Sequence, residues 1–170
     1  MLSQKLQDAI NEQINFELYS EYAYLSMAAY LQANDLDGIA NFFTVQTQEE
    51  RFHAMKFYNY LLERGGRIIL KPIAGPEVEF KTVLEVFEKT MTHEKEVTRR
   101  INALMDLAKQ ENDHATVSFL QWFLDEQVEE EATVSKILGK LKYIGENGPG
   151  LLMLDQELAQ RVFNPPVNEA

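Results

Sequence analysis

Two stretches nearly free of glycine and proline, from about residue 4 to 64 and from about 82 to 142, are what most constrain this chain. Within both, apolar residues recur at alternating steps of three and four, the period of a helix with one buried face. The expected fold is therefore all-α. A length of 170 residues, with 45% hydrophobic and 25% charged residues, suits one compact domain spanning 1–170.

Local punctuation divides the two stretches into four helices. The first is expected from about Ser3 to Ala33, and the second from the Asn34–Gly38 region to Arg64, where Gly65 and Gly66 stop it. The third begins near Thr82, with Glu85 as its capping-box partner, and the fourth near Asp113 after a short ENDH turn. Each pair forms a tight hairpin. Between the pairs, Gly65–Phe80 (GGRIILKPIAGPEVEF) carries two prolines and no helical stripe. Fully extended it reaches roughly 50 Å, against roughly 43 Å for a helix of about 29 residues, so it can cross the whole bundle. The second and third helices can then run parallel, as in a four-helix bundle with one long crossover. The bundle would occupy 3–143. After Tyr143 the segment IGENGPG breaks the chain before a short fifth helix at about 150–161, LLMLDQELAQR, and a Pro-Pro tail at 162–170. A helix that short requires docking against something.

One constellation of metal-type side chains occurs twice, displaced by 77 residues: Glu17, Glu49, Glu50 and His53 map onto Glu94, Glu126, Gln127 and Glu130. Both the spacing within a helix and the jump from Glu17 to Glu50 recur, so the two halves are built alike. Stepping inward along the second helix gives Ile39, Phe43, Gln46, Glu50, His53, Phe57 and Leu61. The third gives Val83, Phe87, Thr90, Glu94, Val97, Ile101, Leu104 and Ala108, and the fourth gives Leu120, Phe123, Gln127, Glu130, Val134, Ile137 and Leu141. On the first lie Leu6, Ile10, Ile14, Glu17, Tyr24, Ala28 and Leu31, with either Ser20 or Glu21 filling the intervening turn. Every stripe is interrupted by polar residues at mid-helix.

Carboxylates facing one another in a bundle interior each carry a desolvation penalty of several kcal/mol, with mutual repulsion added, and cations remove that problem. The chain has no cysteine, which rules out disulfides, iron–sulfur clusters and thiolate zinc sites. Oxygen-rich coordination with a single imidazole suits iron, manganese or adventitious zinc, and paired half-sites suit two ions. Glu49, Glu126 and Glu129 lie beside the stripe, where DEQVEEE fits a solvated helix face as well as a ligand cluster. Tyr24 fits a packed aromatic as well as a hydrogen-bond donor to the polar layer, and Trp122 fits interface or core better than a redox role. The net charge of -11 disfavours nucleic acid and anionic membranes and favours cations. The start MLSQKLQDAINEQ has neither a basic head nor an apolar run, so the cytoplasm is the expected location.

These residues resemble the ferritins, and most closely the non-haem ferritins of bacteria and archaea. The resemblance spans essentially the whole chain. It rests on Glu17 and Tyr24 in NFELYSEYAYLSMA, Glu49, Glu50 and His53 in QTQEERFHAMKF, Glu94 in THEKEV, and Gln127 and Glu130 in LQWFLDEQVEEEA. The general ferritin-like di-iron scheme takes one Glu from each of two helices and Glu-x-x-His from each of the other two. Here Gln127-x-x-Glu130 replaces the second Glu-x-x-His, which separates the chain from bacterioferritin-like and rubrerythrin-like relatives. Haem-binding bacterioferritins also carry Met after the second-helix Glu, where this chain has Arg51, so no haem is expected.

The resemblance implies a ferritin-like fold and iron storage with ferroxidase activity. One iron would be held by Glu17, Glu50 and His53, the second by Glu50, Glu94 and Glu130 with Glu50 bridging, and Gln127 would be a nearby hydrogen-bond partner. A third iron position beside the pair matches Glu49, Glu126, Glu129 and Glu130. Tyr24 would hydrogen-bond Glu94 or supply an electron. Fe(II) and O₂ or peroxide would be the substrates, and the assembly a hollow homo-oligomer of twenty-four subunits. Two other readings remain at this level, a di-metal oxygenase with an apolar substrate pocket and a non-catalytic metal buffer.

Overall fold

A computed structural model describes residues 2–145 and 148–165 of the chain. Glu146 and Asn147 of the expected break, and positions 166–170 of the expected tail, lie outside the described residues. The described residues form five helices: α1 (Gln4–Gln32), α2 (Asp37–Glu63), α3 (Val83–Gln110), α4 (His114–Ile144) and α5 (Pro149–Leu158). Among the described residues no helix is long and apolar enough to cross a membrane.

Three of the helix starts are capped from within their own turn. The Ser3 hydroxyl accepts from the Leu6 amide at 3.2 Å, Thr82 from Glu85 at 3.0 Å, and the Asp113 carboxylate from Thr116 at 2.9 Å. The expected capping box at Thr82 is only half formed, because the Glu85 carboxylate returns to the amide of Lys81 at 2.6 Å rather than to that of Thr82. The two hairpin turns each place a residue in the left-handed region, Asp35 at φ 58° and Asn112 at φ 54°, residue types that tolerate it. Arg64 then ties the second turn to the end of α2 through a two-pronged pair with Asp113, at 3.0 and 2.7 Å.

Side chains of α1 hold the crossover in register. Asn11 donates to the Arg67 carbonyl at 2.9 Å and accepts from the Ile69 amide at 2.7 Å. One turn on, Asn15 donates to the Ile69 carbonyl at 3.1 Å and accepts from the Lys71 amide at 2.8 Å. These two amides replace the backbone pairing that an isolated extended segment lacks. Further along α1, Ser26 donates to the Glu77 carbonyl at 2.7 Å, and Tyr30 meets Phe80 edge to face with ring centroids 5.1 Å apart. The contacts ascend α1 and the crossover together. The segment therefore returns to the end where α2 began, and α3 sets off parallel to α2.

The shorter fifth helix docks on α2. Leu154 and Leu158 are buried, and the Asp155 carboxylate accepts from the Ile39 amide at 2.8 Å, capping a helix whose own N-cap residue, Leu36, offers no side-chain acceptor. Gly38 makes that approach possible, since a Cβ there would lie 1.8 Å from the Asp155 carbonyl oxygen. α5 ends at Leu158, not near Arg161, because Asn41 donates to the carbonyls of Leu158, Ala159 and Arg161 at 3.2, 3.4 and 2.9 Å.

Two apolar clusters fill the bundle. One centres on Phe42, Phe43 and Phe87 towards the α5 end, the other on Ile10, Phe57, Ile101 and Phe123. Between them lies a layer of polar side chains.

Candidate metal centre

That layer is assembled from all four long helices. Glu17 and Tyr24 come from α1, Gln46, Glu50 and His53 from α2, Glu94 from α3, and Gln127 and Glu130 from α4, all of them buried. Each was placed inward by the apolar stripe it interrupts. The open turn on α1 is filled by Ser20, fully buried, while Glu21 is half-buried.

Glu17, Glu50 and His53 stand closest to a ligand set. One atom from each, two carboxylate oxygens and an imidazole nitrogen, lie within 4.8 Å of one another. His53 Nδ1 faces Glu50 Oε2 at 3.8 Å, one helical turn away. Of the two Glu17 oxygens, Oε1 accepts from the Gln13 amide at 2.8 Å, whereas Oε2 has no hydrogen-bond partner. Glu50 Oε2 and Gln46 Oε1 are likewise buried without a donor. Buried acceptors are rarely left so, and three in one layer ask for a cation or a proton.

The Glu94 side is tied more fully. Tyr24 donates its hydroxyl to Glu94 Oε1, and Gln127 donates to Glu94 Oε2 at 3.1 Å and to the Glu94 carbonyl at 3.2 Å. Tyr24 is thus packed and hydrogen-bonding at once, its ring lying 5.9 Å from that of Phe43. Glu130 accepts from Gln46 at 3.1 Å.

Burial dominates the electrostatics. It pushes Glu17 up to about 8, helped by the charge of Glu50. Burial, then the charge of Glu94, raises Glu50, and burial with Glu130 pushes Glu94 up to about 7. Without a cation these groups hold on to protons near neutral pH. A divalent ion reverses that preference by supplying opposite charge.

Glu49 and Glu126 flank the layer, both half-buried, and Glu129 is exposed. Burial pushes Glu49 up to about 7 against the opposing charge of the Arg161 guanidinium, with Glu130 and Glu126 adding to the rise. Burial also raises Glu126, with Glu130 and Glu129 adding to it. The cluster therefore abuts the buried layer through Glu130, with Glu129 at its solvent edge. Trp122 packs edge to face on His53, ring centroids 5.5 Å apart, with Lys56 over its ring at 4.5 Å.

The ferritin-like domain family matches residues 7–144. A bacterial non-heme ferritin of Staphylococcus aureus is 43% identical over 164 residues, 96% of this chain and 99% of the relative. One from Staphylococcus epidermidis is 46% identical over the same shares. The chain belongs to the ferritin family. Among solved ferritins, a humanized archaeal ferritin superposes with a TM-score of 0.96 at 49% identity, covering 97% of this chain and all of that one (100%). An open pore ferritin from Archaeoglobus fulgidus gives 0.93 at 48% identity, covering 95% and 98%. The fold, including the crossover and the fifth helix, is that of a ferritin.

In this ferritin Gln13 and Arg161 stand beside the centre without having been singled out from the sequence, and Gln46, expected on the inward stripe, proves to be bonded to the layer as well. Gln13 and Gln46 are buried amides set four residues before Glu17 and Glu50, each hydrogen-bonded to a carboxylate of the layer. An amide repeated at that offset, on a face that is otherwise apolar, was a readable signal. Arg161, bonded to Glu49 at 2.6 Å, was not readable, since 112 residues separate the partners.

Proposed function

We infer that this ferritin stores iron and oxidises Fe(II) on the way in. Two Fe(II) ions are the substrates. Glu17, Glu50 and His53 would hold one, Glu50, Glu94 and Glu130 the other, with Glu50 bridging and Gln127 hydrogen-bonding nearby. Together the ions give two electrons to O₂, which takes up two protons to become peroxide, or to peroxide, which becomes water. Hard carboxylate oxygen stabilises Fe(III) over Fe(II), and a set with only one imidazole can let the product leave. Glu49, Glu126, Glu129 and Glu130 would hold a third iron on its way to a ferric oxo-hydroxide core.

The observation that carries this reading is the pair of donor-less buried oxygens on Glu17 and Glu50, two residues that with His53 bring ligand atoms within 4.8 Å of one another. Family membership supports the storage half. A shell of twenty-four subunits in the cytoplasm completes the proposal, with α5 grouped around its four-fold axes.

Aerobic Fe(II) oxidation and iron retained per particle, compared between wild type and Glu50→Ala, test it together. Retention on the order of thousands of iron atoms requires a closed shell. A monomer or dimer in the ultracentrifuge at physiological salt would sink the storage reading, and an unchanged oxidation rate in Glu50→Ala would sink the catalytic one.

A further inference from the structure

The end of α5 delivers a fixed cation to the edge of the centre. With the carbonyls of Leu158 and Arg161 both held by Asn41, the Arg161 guanidinium lies over the Phe42 ring, 4.3 Å from its centroid. One nitrogen donates to the Phe42 carbonyl at 3.4 Å and another to Glu49 Oε2 at 2.6 Å. Both side chains of the pair are mostly covered, 23% and 21% exposed. Such a pair is screened less than a surface ion pair, and the guanidinium does not lose its charge.

Resting on the reading of Glu49, Glu126, Glu129 and Glu130 as ligands of a third iron, we propose that Arg161 is a positioning residue that competes with this iron for Glu49. A cation arriving there must take Glu49 Oε2 from the guanidinium. Arg161 has somewhere to stay when that happens, because the Phe42 ring and carbonyl hold it independently of Glu49. The ion is then bound against a resident positive charge, so it is held loosely and passes on. When it leaves, Arg161 recovers Glu49. The seat of α5 on α2, fixed by Asp155 and Asn41, thereby sets how firmly the third position holds its ion.

Anaerobic calorimetric titration of the assembled protein with Co(II) tests this. Wild type should show a weakest class of site beyond the two of the paired centre, and Glu49→Gln should lose it. In Arg161→Gln the same class should tighten about tenfold, the effect of removing one nearby like charge, while the two tighter classes stay put. Arg161→Lys, which keeps the charge, should stay within about threefold of wild type. Loss of α5 docking alone would lower the melting temperature and weaken the class, the opposite direction. If wild type shows no third class, the third-position reading falls and the inference with it. If Glu49→Gln abolishes a class that Arg161→Gln leaves unchanged or weakens, the third position stands and the role of Arg161 is wrong.

Discussion

The two halves of the polar layer come from matching positions of a repeated sequence, yet they differ in what their oxygens already hold. On the α1–α2 side, Glu17 and Glu50 each present a buried oxygen without a donor, beside the imidazole of His53. On the α3–α4 side, the equivalent of Glu17 is Glu94, and both of its oxygens are taken, one by Tyr24 and one by Gln127. A first cation on the α1–α2 side replaces only a proton held between Glu17 and Glu50; a second, at Glu94, must share or loosen hydrogen bonds from Tyr24 and Gln127. The scaffold repeats, but the readiness for metal does not. Binding should therefore be sequential, with the Glu17, Glu50 and His53 side filled first.

Glu50→Ala should break the comparison altogether, because this carboxylate would serve both ions. The initial rate of Fe(II) oxidation should fall on the order of a hundredfold or more, read by stopped-flow absorbance. His53→Ala and Gln127→Ala then separate the halves. The first should weaken the tighter Co(II) class by about 10–100-fold and leave the other nearly unchanged. Gln127→Ala should touch only the weaker class, and by less than about tenfold, since the amide donates to Glu94 and on the proposed reading would orient it instead of binding metal. Equal effects of the two substitutions on both classes would refute the asymmetry.

Much of this layout was legible because periodicity encodes burial. Every residue that the three-and-four stepping turned inward, from Leu6 and Ile39 to Glu94 and Glu130, is buried. The crossover was legible as a length, 16 residues against a helix, although not as a path. Its path depends on Asn11 and Asn15, whose bonds to Arg67, Ile69 and Lys71 have no periodic signature. Choosing Ser20 over Glu21 needed His93, whose ring nitrogen meets the Ser20 hydroxyl at 2.7 Å from another helix. Long-range caps were invisible for the same reason: Asp155 caps α2 from 116 residues away, and no local rule links the two.

Acidity offers a smaller effect with a definite sign. Glu17 and Glu94 are raised from the ordinary carboxylate value of 4.5 to about 8 and about 7. In the unfolded chain they ionise near 4.5, so the unfolded state loses protons first as pH rises. Their contribution to stability is thus fully present below 4.5 and is lost as pH rises through 7 to 8. The melting temperature of metal-free protein should fall by roughly 5 °C or more between pH 5 and pH 8.5. Saturating Zn(II) should flatten that slope, and at pH 7 its binding should release about one to two protons per subunit, seen as a dependence of calorimetric heat on buffer. A metal-free stability that rises over this range would contradict the burial of these carboxylates in the absence of metal.

Tyr24→Phe makes the gentlest change and the most pointed one, because it turns Glu94 into a closer copy of Glu17. The substitution removes only the hydroxyl that occupies Glu94 Oε1 and keeps the ring against Phe43. In the metal-free protein this leaves another buried oxygen without a donor, worth about 1–3 kcal/mol and a few degrees of melting temperature. In the presence of Co(II) the freed oxygen becomes available as a ligand, so the gap between the two classes should narrow, by less than about tenfold. The two readouts move in opposite directions, lower stability without metal and tighter binding of the second ion. If both fell together, Tyr24 would be holding Glu94 in its binding geometry, and the unequal halves would owe their difference to His53 and to the Gln127 amide on Glu94.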